Sequence, residues 1–253
     1  SNVYSDYATL ARIGADAVIT VNALTITSNH IQAIDASADS YALAAAAGSG
    51  AGVDNTIVSK ANVEIGTGAE VTANTILINA INHLTKDQYA DGSNLRSGSA
   101  SLGNVTVLKS ETNIGLPETP FAAVVTIAAG AHLVAEGDSQ NPGVFKIEAL
   151  NKITAVDSVR IESVSGFGVS VGISRLESNS VAGIHVNGAV LENKSGDLYL
   201  TARTDAALRP SANLLVVTAL TGGAGAEATG ITHPANTIEV HDSTIKGSDI
   251  YLY

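Results

Sequence analysis

Apolar and polar residues alternate along most of this chain. Val18, Thr20, Asn22, Leu24 and Ile26 take one set of alternate positions, and Ile19, Val21, Ala23 and Thr25 take the other; Val169-Ser170-Val171 and Leu198-Tyr199-Leu200 continue the habit. A period of two is the signature of strands, whose successive side chains point to opposite faces. Helical signals are sparse, because Gly or Thr interrupts nearly every window with apolar residues at i, i+3 and i+4. The run from Tyr41 to Ala47 has the propensity for two helical turns. A helix that short is marginal alone and Gly48 stops it at once, so strand is expected there too.

The strands recur. Leu24-Thr25-Ile26, Ile76-Leu77-Ile78, Phe145-Lys146-Ile147, Leu198-Tyr199-Leu200 and Ile250-Tyr251-Leu252 form a ladder whose steps are 52, 69, 53 and 52 residues. The long step contains the polar tract Lys86 to Gly98, which reads as a surface loop inserted into one unit. A Gly-Ala turn precedes four of the five ladder strands, at Gly14-Ala15, Gly68-Ala69, Gly130-Ala131 and Gly188-Ala189, and an Asn shortly before a β-branched residue recurs at Asn55, Asn179 and Asn236. A fixed period of thin units that cannot close a core alone describes a solenoid. The expectation is an all-β, right-handed parallel β-helix, a single elongated rod. Residues 1–13 are a lead-in and residues 14–253 form four units of about 52 residues, each of two or three coils, with an insert loop near 86–98. About ten coils would make a rod on the order of 50 Å long.

Composition narrows the function. The 253 residues include no Cys, Met or Trp and 4% aromatics, so Ala, Val, Ile, Leu and 24 Gly must build the core. Such small side chains suit closely spaced sheets. Lys+Arg 13 against Asp+Glu 24 gives a net charge of −11, which argues against nucleic acid as a partner. The absence of Cys excludes disulfides, thiolate metal sites and Cys nucleophiles. No apolar run reaches the roughly 20 residues that cross a bilayer. The chain starts at Ser1 and stops inside a ladder strand at Tyr253, so it is expected to be part of a longer protein or a subunit that stacks end to end.

The run Asn55 to Ala80, "NTIVSKANVEIGTGAEVTANTILINA", with the Ala/Gly tracts Tyr41 to Gly52 and Leu220 to Gly230, resembles the repeat region of large bacterial filamentous adhesins, the filamentous-haemagglutinin-like and leukotoxin-like surface proteins. The likeness is one of repeat style and extends from about Gly14 to Tyr253. It implies a right-handed parallel β-helix, secretion to the cell surface, outer-membrane association through the rest of the protein, and a structural or adhesive role toward a host or neighbouring cell, with a glycan or protein receptor. It brings no catalytic residues.

Several residues were weighed for chemistry. Gly168-Val169-Ser170-Val171-Gly172 matches the G-x-S-x-G nucleophile elbow, but no helix follows the Ser. Gly48 to Gly52 lacks the Lys-Ser/Thr pair of a phosphate loop. Asn29-His30 and Asn82-His83, 53 residues apart, are expected to stack on one outer face. Asp35, Asp39, Asp197, Asp249, Glu162 and Glu177 are the acids that a β-helical polysaccharide lyase or glycosidase would pair across a substrate. No cofactor is expected beyond Ca²⁺ held weakly by Asp-rich turns. A rigid scaffold binds through its loops, so the contact surface is expected at Lys86, Asp87, Gln88, Tyr89, Asp91, Asn94 and Arg96. The expected function is a non-enzymatic extracellular adhesin segment, with a β-helical polysaccharide lyase or glycosidase and a self-assembling fibre or sheath subunit as the alternatives.

Overall fold

A computed structural model describes residues 2–87, 93–138 and 140–253; among them there is no helix and every strand pairing is parallel. In chain order the strands are β1 (Asn2–Ile13), β2 (Val18–Thr20), β3 (Ala23–Ile34), β4 (Ala38–Leu43), β5 (Ala46–Ile65), β6 (Glu70–Ala73), β7 (Thr75–Lys86), β8 (Leu95–Ile114), β9 (Phe121–Ile127), β10 (His132–Ala135), β11 (Val144–Asn187), β12 (Val190–Asn193), β13 (Leu198–His241), β14 (Thr244–Lys246) and β15 (Ile250–Leu252). They form a ten-stranded sheet and a five-stranded one, the latter in the order β14-β12-β10-β6-β2. The small sheet thus takes one strand from each of five levels.

The ladder seen in the sequence is a physical column. Leu24 pairs with Ile76, Ile76 with Phe145, Phe145 with Leu198 and Leu198 with Ile250. Ile76, Phe145 and Leu198 are buried in the largest core cluster, with Leu24 packed against it. Each buried apolar side chain contributes about 1.5–3 kcal/mol, so the small aliphatic residues are stabilised by repetition. The neighbours in the column are direct hydrogen-bonded partners, which corrects the expected two or three coils per unit: one repeat is one circuit of the chain. Five levels at about 4.8 Å span about 19 Å from first to last, far less than ten coils would. Residues 2–13, expected as a lead-in, pair along their whole length with Asp54–Ile65.

One corner recurs at every level. Asp16, Gly68, Gly130, Gly188 and Asp242 each lie two residues before a strand of the small sheet, at φ of 54°, 67°, 76°, 59° and 48°. Left-handed backbone favours Gly and, among other residues, Asp or Asn. The next residue is Ala at four levels, and Ala69, Ala131 and Ala189 are buried. This corner also breaks the alternation. Ile19 and the pair Leu24 and Ile26 all pack on the main core although they have opposite parity, because Val21-Asn22 separates β2 in one sheet from β3 in the other. The Asn55, Asn179 and Asn236 landmarks do not stack; Asn55 pairs with Thr112, Asn179 with His233 and Asn236 with Ala182.

The interior is partitioned. β11 has 44 residues and would reach about 145 Å if straight, so it must bend around the profile to return beneath itself. Three apolar clusters follow one another along the interior, centred on Ile76, Leu84 and Leu95. Between the first two stands an Asn ladder: Asn82 Nδ2 donates to Ser59 O and Ala122 O, both at 3.0 Å, and Asn151 Nδ2 donates to Val181 O at 2.8 Å. Between the second and third stands the buried pair Lys86–Asp157.

Candidate functional site

The extra length of the long step is divided among three loops. The register offset is 52 at Ile34–Lys86, 57 at Ala46–Gly103, 62 at Lys60–Ala122 and 69 at Thr75–Val144. The increments fall at residues 87–94, 115–120 and 136–143. The expected single insertion is therefore corrected to three, all within one circuit of the chain. At adjacent levels Asn179 alone fills the place of residues 115–120, and Asn74 alone fills that of 136–143. The signals for the two missed loops were present: Gly115, Pro117 and Pro120 in one, and Gly137-Asp138 with Asn141-Pro142-Gly143 in the other.

Each loop has a built base. Gly115 has φ 69°, and Leu116 and Thr119 exchange backbone bonds of 3.0 and 3.1 Å. Asp138 Oδ1 accepts from the Asn141 and Gln140 amides at 2.7 and 2.8 Å. Those two bonds, Asn141 first, hold its carboxyl below the ordinary Asp range. The first loop is tied by residues that had been expected to face a partner. Lys86 is wholly buried: its Nζ donates to Asp157 Oδ1 at 2.8 Å and to Val156 O at 3.0 Å. Ser110 and Ser174 hydroxyls donate to the Asp157 carboxylate at 2.8 and 2.7 Å. Asn94 is buried as well; its Nδ2 donates to Asp87 O at 3.1 Å and its Oδ1 accepts from Ser158 N at 3.0 Å. Lys86 and Asn94 are thus corrected from contact residues to anchors. Asp87 is exposed, and Arg96 is half-buried in β8, in register with Asp39 and Arg160. Gln88, Tyr89 and Asp91 lie outside the described residues.

The other candidates separate. His30 pairs with Asn82, not with His83, so the Asn-His pairs are one residue out of register and fall on opposite faces. Ser170 is completely buried in the middle of β11, which removes it from any nucleophile elbow. Gly48 to Gly52 is strand, within β5. Glu162 is paired with Arg160 at 2.5 Å and Glu177 with Arg175 at 2.6 Å. Asp197 and Asp249 occupy adjacent levels, where Asp197 Oδ1 accepts from the Asp249 amide at 3.2 Å. Beside them Tyr199 and Tyr251 stack at 4.8 Å with Lys146 Nζ 5.4 Å from the Tyr199 ring. Partial burial, then the bond it donates to Asp197, holds the Tyr199 phenol above its ordinary pKa. Tyr251 is raised by the charges of Asp249 and Asp197. Among the described residues no three His, Asp or Glu side chains gather as a metal site.

A furrow of 710 Å³ lies at the narrow end of the profile, lined by equivalent residues of four levels, among them Gly48, Val105, Val169 and Gly223. The chain reverses here between Ser99 and Thr106, whose hydroxyls are 3.5 Å apart. The Tyr41 ring lies over Gly98 and the Phe167 ring over Gly103, where a Cβ would come within 2.6 and 2.8 Å of them. No family model, curated protein or solved structure matches the chain.

Proposed function

We propose that the chain is a right-handed parallel β-helix of five turns that serves as a structural and adhesive segment of a secreted bacterial surface filament. The observation that carries this reading is the parallel pairing that carries the ladder column through five levels, which makes a stiff stack from small side chains and leaves its insertions to be displayed. Three insertions fall within a single circuit, each with hydrogen-bonded roots. A rigid scaffold presenting loops is the arrangement from which binding surfaces are made.

The test is attachment of the purified chain to cultured host cells and to a glycan panel, alongside a chain in which 115–120 and 136–143 are shortened to the one-residue links of the adjacent levels. The trimmed chain is expected to keep its far-UV spectrum and lose most of its attachment. Equal attachment by both chains would remove the loops from the proposal. Release of reducing ends or unsaturated products from a polysaccharide would replace it with an enzymatic one.

A further inference from the structure

At the narrow end of the profile the usual placement of polar and apolar residues is inverted. Inside it, the Ser49 hydroxyl lies 2.9 Å from that of Ser97 and 3.0 Å from that of Thr106, and Asn104 Nδ2 donates to the Ser163 hydroxyl at 2.7 Å. Outside it, Leu43 is 85% exposed, Leu220 78% and Leu102 69%. Of the 22 large apolar residues exposed over the described chain, eleven fall in the four short stretches 41–43, 102–107, 164–169 and 215–220, which lie at four successive levels. With roughly half or more of each exposed, the eleven together present on the order of 1,000 Å², more than the largest patch of an ordinary monomer. Small polar side chains facing inward and branched apolar ones facing outward mark an outer face that is itself an interior in the assembled state.

We infer that this apolar edge is the contact surface for a second copy of the same chain, laid alongside with its stack of strands parallel to the first. Three observations select that occupant. The exposed area matches the about 800 Å² that each partner gives to a standard interface. The stretches 41–50, 98–107, 162–171 and 215–225 contain a single side chain charged at neutral pH, Glu162, already paired with Arg160, while the whole chain carries −11. Two molecules with that charge repel over the rest of their surfaces and can approach only through a neutral face. The third is spacing: the column Leu43, Ala100, Val164 and Val217 and the furrow column Gly48, Val105, Val169 and Gly223 both repeat once per level, at about 4.8 Å. Another stack of strands has that same period and can keep its side chains interdigitated along the whole edge, as in the dry interfaces between paired sheets.

Sedimentation equilibrium of the chain across the micromolar range tests this, with the Val105→Glu/Val169→Glu and Val164→Glu/Val217→Glu variants, and Thr25→Glu as a control on the far surface. All four substituted valines are exposed on strands whose interior neighbours are unchanged, so the variants are expected to retain the wild-type far-UV spectrum. The wild type and Thr25→Glu are expected to dimerise, more tightly as salt screens the remaining charge. At least one valine pair is expected to give monomer. A wild-type chain that stays monomeric throughout overturns the inference, as does a dimer that survives both valine variants.

Discussion

Lys86→Met tests the interior partition where it is most exposed to error. The ammonium and the Asp157 carboxylate are both fully buried and 2.8 Å apart, and Met keeps much of the lysine stem's volume while removing the charge. Asp157 would then be left with the Ser110 and Ser174 hydroxyls alone. Removing one partner of a buried pair typically costs about 3–5 kcal/mol, because the charge left behind is uncompensated. Asp157→Asn should cost a comparable amount from the lysine side. The double variant Lys86→Met/Asp157→Leu removes both charges and forfeits the two serine bonds and the Lys86 bond to Val156 O, each worth about 1 kcal/mol, so it should be more stable than the summed losses of the single variants imply. Urea unfolding followed by both circular dichroism and amide exchange gives the values, since stacked levels can open in part. Losses near 1 kcal/mol for the single variants, or a double variant that merely adds them, would refute the reasoning.

Other expectations follow from single residues. Gly130→Ala should cost about 1–2 kcal/mol, because its φ of 76° is left-handed, whereas Asp16→Gly at the equivalent corner should cost nothing; equal effects in thermal unfolding would contradict the corner column. The Asp138 carboxyl should titrate below the ordinary Asp range by NMR. Its folded pKa is depressed, so the loop's support is complete above the unfolded pKa and is lost as pH falls through the folded one; a normal midpoint would dissolve the proposed turn. The Tyr251 phenol should ionise above its ordinary value, and Asp249→Asn should bring it down. A raised phenol stabilises the fold below the unfolded pKa and loses that effect as pH rises through the folded one, which phenolate absorbance reads directly.

The ladder strands and the Gly-Ala corners are legible in the sequence because each level must place the same kind of side chain at the same point. The size of a circuit is not: a repeat of 52 residues fits one wide turn or several narrow ones, and only hydrogen-bonded pairs such as Leu24 with Ile76 decide. Lys86 looks like a loop residue because its partner lies 71 residues away along the chain. The Asn-His pairs mislead by one residue, enough to reverse the face of a strand. In Val169-Ser170-Val171 the period of two is plain but its phase is not, and the usual rule of apolar inside gives the wrong answer where Val169 faces out and Ser170 in.

Register, loops included, places residues of successive levels side by side, and the 69-residue step is where that is hardest to achieve. Leu77 and Lys146 face outward on paired strands, and the chain has no native cysteine to interfere. Neighbouring strands lie about 4.8 Å apart, within the Cα range of a disulfide. Leu77→Cys/Lys146→Cys should therefore oxidise quantitatively within one molecule, while Leu77→Cys/Ala129→Cys, the spacing of an uninterrupted 52-residue repeat, should not. Cross-linking of the second pair, or of neither, would contradict the account.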